Sequence, residues 1–220
     1  IMHYGDSQIE GDRITSLIRY KLQRQFGGSG IGMQPPVQLY GYQLSLVHTA
    51  SDNWKRYTAF GKLDSTLNHN RYGMLGSFAR FSPYPDEQDD LDYGEVKEHE
   101  AWIKIQPSYR AYQLTRVFKN CRLYYGNASQ PVLYELYSNG ELYDADYIEA
   151  SEGFRMKKWT FETSPEQLEF RFISSCSPDF YGIALDDDRG IAVDNVAMRG
   201  SAGLFFTRLD GEMLKEMYDE

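Results

Sequence analysis

Two short stretches hold residues whose types and spacing suit nucleophilic chemistry. The first is Tyr4-Gly5-Asp6-Ser7-Gln8, which closes an apolar run. A serine hydroxyl attacks a carbonyl only when a base takes its proton and donors hold the oxyanion. Ser7 offers one such donor in its own backbone N–H, and a helix starting soon after it adds a field that favours developing negative charge. The second stretch is Asn195 to Gly200, an Asn followed by a glycine five residues later in the loop after another apolar run. A glycine there lets backbone approach a ligand closely, and the Gly200 N–H is a second candidate donor. Taken by itself, Gly-Asp-Ser reads first as a serine that only closes a turn.

The elements around these residues follow from periodicity. Between Asp12 and Phe26, apolar residues fall at Ile14, Leu17, Ile18, Leu22 and Phe26, a helical spacing with Asp12 at or near the N-cap and Gly27-Gly28 as the stop. The chain therefore opens as strand, loop and amphipathic helix, with Ser7 at the strand's carboxyl end, where open α/β sheets place ligands. From about residue 37 to 185 the helical period disappears. Segments such as EAWIKIQ, CRLYYG, FRMKKWTFE and QLEFRFISS read as strands, and Asn139-Gly140 marks a two-residue hairpin. A β-sandwich is predicted for this block. After it, residues 186–220 return to strand, Gly-rich loop and helix, with Leu209, Met213, Leu214 and Met217 on one face and Asp210 as the N-cap. An all-β insertion of about 150 residues in a loop of an α/β fold explains this order, since surface loops tolerate insertions.

Composition narrows the partners. The chain has 220 residues, is 41% hydrophobic and 15% aromatic, and carries a net charge of −9. This suits a real core and β structure, and argues against nucleic acid or an anionic membrane surface as partner. No apolar run spans a bilayer. The start at Ile1, in mid-strand and without a signal peptide, implies a longer precursor. Cys121 and Cys176 fit neither a disulfide framework nor a metal site; they read as two separate buried thiols, with one bridge as the alternative. His3, His48, His69 and His99 form no ligand pair, and no metal or cofactor is expected.

Together, YGDSQIEGDR and DNVAMRG resemble the SGNH (GDSL-type) hydrolase family, over about 40 residues at the front and about 35 at the back. The resemblance implies a flavodoxin-like α/β hydrolase with Ser7 as nucleophile and the Ser7 and Gly200 N–H groups in the oxyanion hole. It also implies a jelly-roll-like, carbohydrate-binding insert, as in secreted acetyl esterases acting on polysaccharides. SPDFYGIALDDDRGIAVDNVAMRG resembles the return from such an insert. The family's Gly-x-Asn-Asp and Asp-x-x-His blocks do not occur here. That departure implies a base beyond residue 220, and a stretch that is inactive alone, because a serine without its base loses most of the triad's contribution. An extracytoplasmic location goes with the resemblance.

Other features read more plainly. The acidic run Asp86 to Glu95 does not match a calcium loop and is expected to be a solvated loop. LDDDRG, residues 185–190, is expected to be a hairpin turn. Trp54, Trp102, Trp159 and the many tyrosines are expected mostly in the core, with a few exposed rings able to stack on sugars. Two functions follow as alternatives: a serine esterase removing acetyl or short acyl groups from a carbohydrate, or a non-catalytic carbohydrate-binding or scaffold module. Neither the polysaccharide nor the oligomeric state is set by the sequence.

Overall fold

Alternation along the strands decides how the layers stack. QLEFRFISS alternates apolar and polar residues, the mark of a strand buried on one face, whereas DFYGIALD is apolar nearly throughout, the mark of burial on both. The computed structural model describes residues 1–39, 41–81 and 97–219. It sets β11 (Leu168–Ser174) in a sheet with one outward face and β12 (Asp179–Asp186) in a sheet covered on both sides.

The first sheet is antiparallel and runs β3 (Leu46–Ala50), β6 (His99–Pro107), β11, β8 (Val132–Ser138), β9 (Glu141–Ile148). The second runs β10 (Arg155–Thr160), β7 (Asn120–Gly126), β12, β5 (Ser77–Phe81), β4 (Trp54–Thr58), and β2 (Gly32–Gln34) also pairs with β12. Their inner faces meet over a core that includes Ile103, Leu123, Leu136, Phe170, Phe172 and Phe180. The predicted β-sandwich is thus present. The β8–β9 hairpin turns at Asn139-Gly140, with φ of 53° and 85°, the left-handed pair that a two-residue turn requires.

The outer face of the second sheet is covered by a smaller unit. β1 (Met2–Gly5) and β13 (Asp194–Ala197) pair in parallel, Met2 opposite Asp194 and Gly5 opposite Ala197. α1 (Arg13–Phe26) lies on one side, where His3 Nδ1 and Thr15 Oγ1 are 2.9 Å apart. On the other side, Val196, Met198, Phe205, Met213 and Met217 join Tyr57, Phe78 and Tyr181 in a second core. α2 (Gly211–Asp219) is capped by Asp210, whose Oδ1 accepts from the Met213 N–H at 3.0 Å. Gly30, at φ 85°, joins the two regions: a Cβ there would stand 2.1 Å from the Leu185 carbonyl oxygen, so only glycine permits the close approach.

Three expectations change. The flavodoxin-like α/β hydrolase layer is not seen: β1 and β13 form a two-stranded sheet, and the other described strands are antiparallel. A doubly wound sheet takes several parallel strands with helices on both faces. The 185–190 segment is no hairpin, because β12 pairs with β7, β5 and β2 while β13 pairs with β1. Asp12 occupies the N-cap position of α1 at φ 60° without capping it; its carboxylate is taken by Arg19 instead. The acidic run 86–95 lies outside the described residues.

Candidate functional site

Ser7 and Gly200 follow the carboxyl ends of neighbouring strands, β1 and β13, and both are exposed. The two loops are tied by Arg199, which donates to both Glu10 oxygens at 2.9 and 2.6 Å. Asp6 Oδ1 accepts from the Gln8 N–H at 3.0 Å, an Asx turn that shapes the serine loop. No described base stands within hydrogen-bond reach of the Ser7 hydroxyl. His3 is taken by Thr15, His48 by the Pro36 carbonyl, and His69 by Asp179 and Arg80. A serine in that setting is unactivated. Beside Gly200 lies an apolar cleft of about 530 Å³ lined by Leu39, Phe60, Ala197 and Met198. Its arginines are already engaged, Arg56 with Ser77 and Arg199 with Glu10.

A different site forms at the rim of the sandwich. β3 and β6 pair with Leu46 opposite Pro107, so the segment entering β3 and the turn leaving β6 sit side by side. The Ser108 N–H donates to the Ser45 carbonyl at 3.0 Å, and the Ala111 N–H to the Ser108 carbonyl at 3.0 Å. These bonds hold Tyr42 and Gln43 against Tyr109 and Arg110. Tyr109 is 76% exposed and Tyr42 52%. The Arg110 Nε donates to the Tyr109 hydroxyl at 2.8 Å, Nη1 reaches the Tyr42 hydroxyl at 3.5 Å, and the guanidinium lies 5.3 Å from the Tyr109 ring centre.

These groups line a cleft of about 470 Å³ together with Gln38 and His48. Gln43 donates to Gln38 across its floor. Burial pushes the His48 imidazole down to about 4, so it is neutral at pH 7. Its Nε2 lies 2.9 Å from the Pro36 carbonyl oxygen and therefore carries the proton, leaving Nδ1 as an acceptor without a partner. A second cleft, of about 560 Å³, shares Tyr109 and Val47 with the first and adds Gln106, Gln113, Arg116 and Glu166. Exposed aromatic rings beside amides and a guanidinium offer stacking faces and directional hydrogen bonds together.

The tryptophans sort into or against the core, as expected, and a few tyrosines stay exposed. Trp159 is buried with its Nε1 on Asp144 at 2.6 Å. Trp54 packs edge-on against Phe81, Phe172 and Phe180. Trp102 is half-buried in β6 opposite Arg171. The exposed rings at the rim are tyrosines, and the sequence signal for one of them was an aromatic–arginine pair, Tyr109-Arg110, in a polar turn between strand and turn residues. The cysteines form no bridge: Cys121 is buried, its thiol pushed up by burial, and Cys176 is half-buried. No group of metal-ligating side chains occurs among the described residues, and no described helix is long and apolar enough to cross a membrane.

No family model and no curated protein sequence matches the chain. Among solved structures, it is similar to the family 32 carbohydrate-binding module of NanJ from C. perfringens in complex with galactose. Identity is 12% and TM-score 0.36, over 64% of this chain and 93% of that one. It is also similar to the catalytic unit of a GH87 α-1,3-glucanase from Streptomyces thermodiastaticus strain HF3-3, at 10% identity and TM-score 0.31, over 70% of this chain and 26% of that one. A third, a CBM4 structure, has 9% identity and TM-score 0.24, over 60% and 86% of the two chains. The two-stranded parallel pair in place of a doubly wound sheet corrects both the SGNH resemblance and the ester-hydrolase function it implied.

Proposed function

We propose that the chain is a non-catalytic carbohydrate-binding module that holds a sugar at the sandwich rim. The observation that carries this reading is the juxtaposition of Tyr42, Tyr109 and Arg110 on a cleft completed by Gln38, Gln43, Val47 and His48. A pyranose ring has apolar C–H faces and a belt of hydroxyls. The tyrosine rings match the faces, and Gln38, Gln43 and Arg110 match the belt. The site is pre-formed by the β3–β6 register, so little ordering cost is incurred on binding. An extracytoplasmic location belongs to the same reading.

The test is binding of the chain to a panel of polysaccharides and oligosaccharides by calorimetry. Tyr109→Ala is expected to weaken binding about tenfold or more, the equivalent of about 1.4 kcal/mol, with the fold unchanged because the ring is exposed. Absence of binding to every glycan, or binding that Tyr109→Ala leaves untouched, rejects the proposal.

A further inference from the structure

Charge at the rim runs against the charge of the molecule. The chain carries 32 acidic and 23 basic side chains besides histidine, yet among the described residues Arg110 is the sole formal charge lining the first cleft at neutral pH. Its described partners are two tyrosine hydroxyls and no carboxylate. A guanidinium has five N–H donors, and two are engaged here. The remaining donors are fixed in direction, because Nε and Nη1 are held by Tyr109 and Tyr42. A guanidinium oriented this way and left without a counter-ion is suited to a planar anion, which it grips through paired N–H donors.

The neighbouring cleft is balanced. Arg116 and Glu166 both line it, with no ion pair between them within 4 Å. Gln106 and Gln113 supply neutral donors and acceptors there. A third, smaller cleft on the far side of His48 holds Asp52, which repels an anion extending that way. The clefts therefore have a polarity: an acid on the Arg110 side of Tyr109, an acidic or neutral unit on the Arg116 side, where Arg116 offsets Glu166, and nothing anionic towards Asp52.

Resting on the carbohydrate reading above, we infer that the two clefts sharing Tyr109 form adjacent subsites for an acidic oligosaccharide, with the carboxylate of a uronic acid unit held by Arg110. Tyr109 is the common wall against which consecutive sugar units pack. Arg116 contributes less, because Glu166 faces the same cleft.

The experiment compares trigalacturonate with its methyl ester, which keeps the rings and removes the charge. Calorimetry at low salt is expected to give at least tenfold tighter binding of the acid. That preference should shrink in 0.5 M NaCl, since exposed charges are screened beyond a few ångströms at such ionic strength, and should vanish in Arg110→Gln. Arg116→Gln should weaken the acid only two- to threefold. Monogalacturonate should bind at least tenfold more weakly than the trimer, and Tyr109→Ala should lose acid and ester alike. Equal binding of acid and ester, or binding through Tyr109 of neutral glycans only, overturns the acidic assignment while leaving the carbohydrate reading in place. Preferential binding of a sulfated neutral oligosaccharide over the uronate overturns the carboxylate assignment. An acid preference that survives Arg110→Gln overturns the placement at Arg110, and equal affinity of monomer and trimer overturns the paired subsites. No binding of any glycan overturns both readings together. Circular dichroism of the arginine variants checks the fold, which both exposed side chains leave undisturbed.

Discussion

The sandwich and the helix α1 beside it bury opposite kinds of residue. Between the two large sheets the fully buried side chains include Phe170, Phe172, Phe180, Ile103 and Leu136. In α1 the pattern is reversed. Thr15, Ser16, Arg19 and Gln23 are buried, while Ile14, Leu17, Ile18 and Phe26 are 38–56% exposed. Arg19 has no accessible surface, and holds Asp12 at 2.8 and 3.1 Å and the Val193 carbonyl at 2.7 Å. Asn195 donates to Asp12 at 3.1 Å and to the Ile9 carbonyl at 2.9 Å, and Gln23 donates to the Gly30 carbonyl at 2.9 Å. One region is thus held by apolar area, which is non-directional and adds with size. The inner face of α1 is held by a few charge-assisted hydrogen bonds, which depend on every member being present. The difference teaches that equal substitutions carry unequal costs on the two sides of one molecule.

The largest effect is expected in the sandwich. Phe180 touches Trp54, Phe81 and Phe172, and is fully buried. Phe180→Ala should cost about 3–5 kcal/mol, read as a lower urea midpoint; a cost under 1 kcal/mol would mean that the sheets do not depend on this core. Arg19→Met comes next, at about 3 kcal/mol, because Asp12 is left buried without its partner. The double variant Arg19→Met, Asp12→Leu should regain much of the loss, and a double variant as unstable as the single would show that packing, not charge pairing, holds α1.

A smaller effect links the rim to pH. The folded-state pKa of His48, about 4, lies below the unfolded value of about 6.5. The unfolded chain then binds more protons between these values, so the stability from neutral His48 is complete above about pH 6.5 and is lost as pH falls towards 4. By about pH 5 the expected loss is about 2 kcal/mol. His48→Leu should flatten the slope of unfolding free energy over that window; an unchanged slope assigns the titration elsewhere. The smallest effect sharpens the comparison most. Leu17→Ala should change stability by no more than about 0.5 kcal/mol, although the same substitution in the sandwich interior typically costs 2–5 kcal/mol. A cost above 1 kcal/mol at Leu17 would break the contrast by showing that its side chain is covered in solution.

Local signals carried several elements. Asn139-Gly140 announced its hairpin, because few residues accept two consecutive positive φ angles. Leu168, Phe170 and Phe172 announced a strand with one buried face, and Asp210 a helix cap. Each depends on neighbours within a few residues, where backbone sterics and side-chain alternation act directly.

What the sequence determined by itself was therefore the kind of each element: strands through the middle, a helix at either end and a left-handed turn at Asn139-Gly140. Tertiary structure alone decided the rest. The spacing of α1 shows that one face is apolar, but which face meets the sheet depends on Arg19 and Asn195 converging on Asp12, 183 positions from Asn195. The Ser7 motif depends on a base that no local pattern supplies and that the described residues do not bring within reach. The rim exists because β3 and β6 pair with Leu46 opposite Pro107, across 61 positions of chain, and so bring Tyr42 beside Tyr109 and Arg110. Such convergence is set by strand register and by how sheets close on one another, long-range choices made by the whole buried surface at once rather than by any one residue's neighbours.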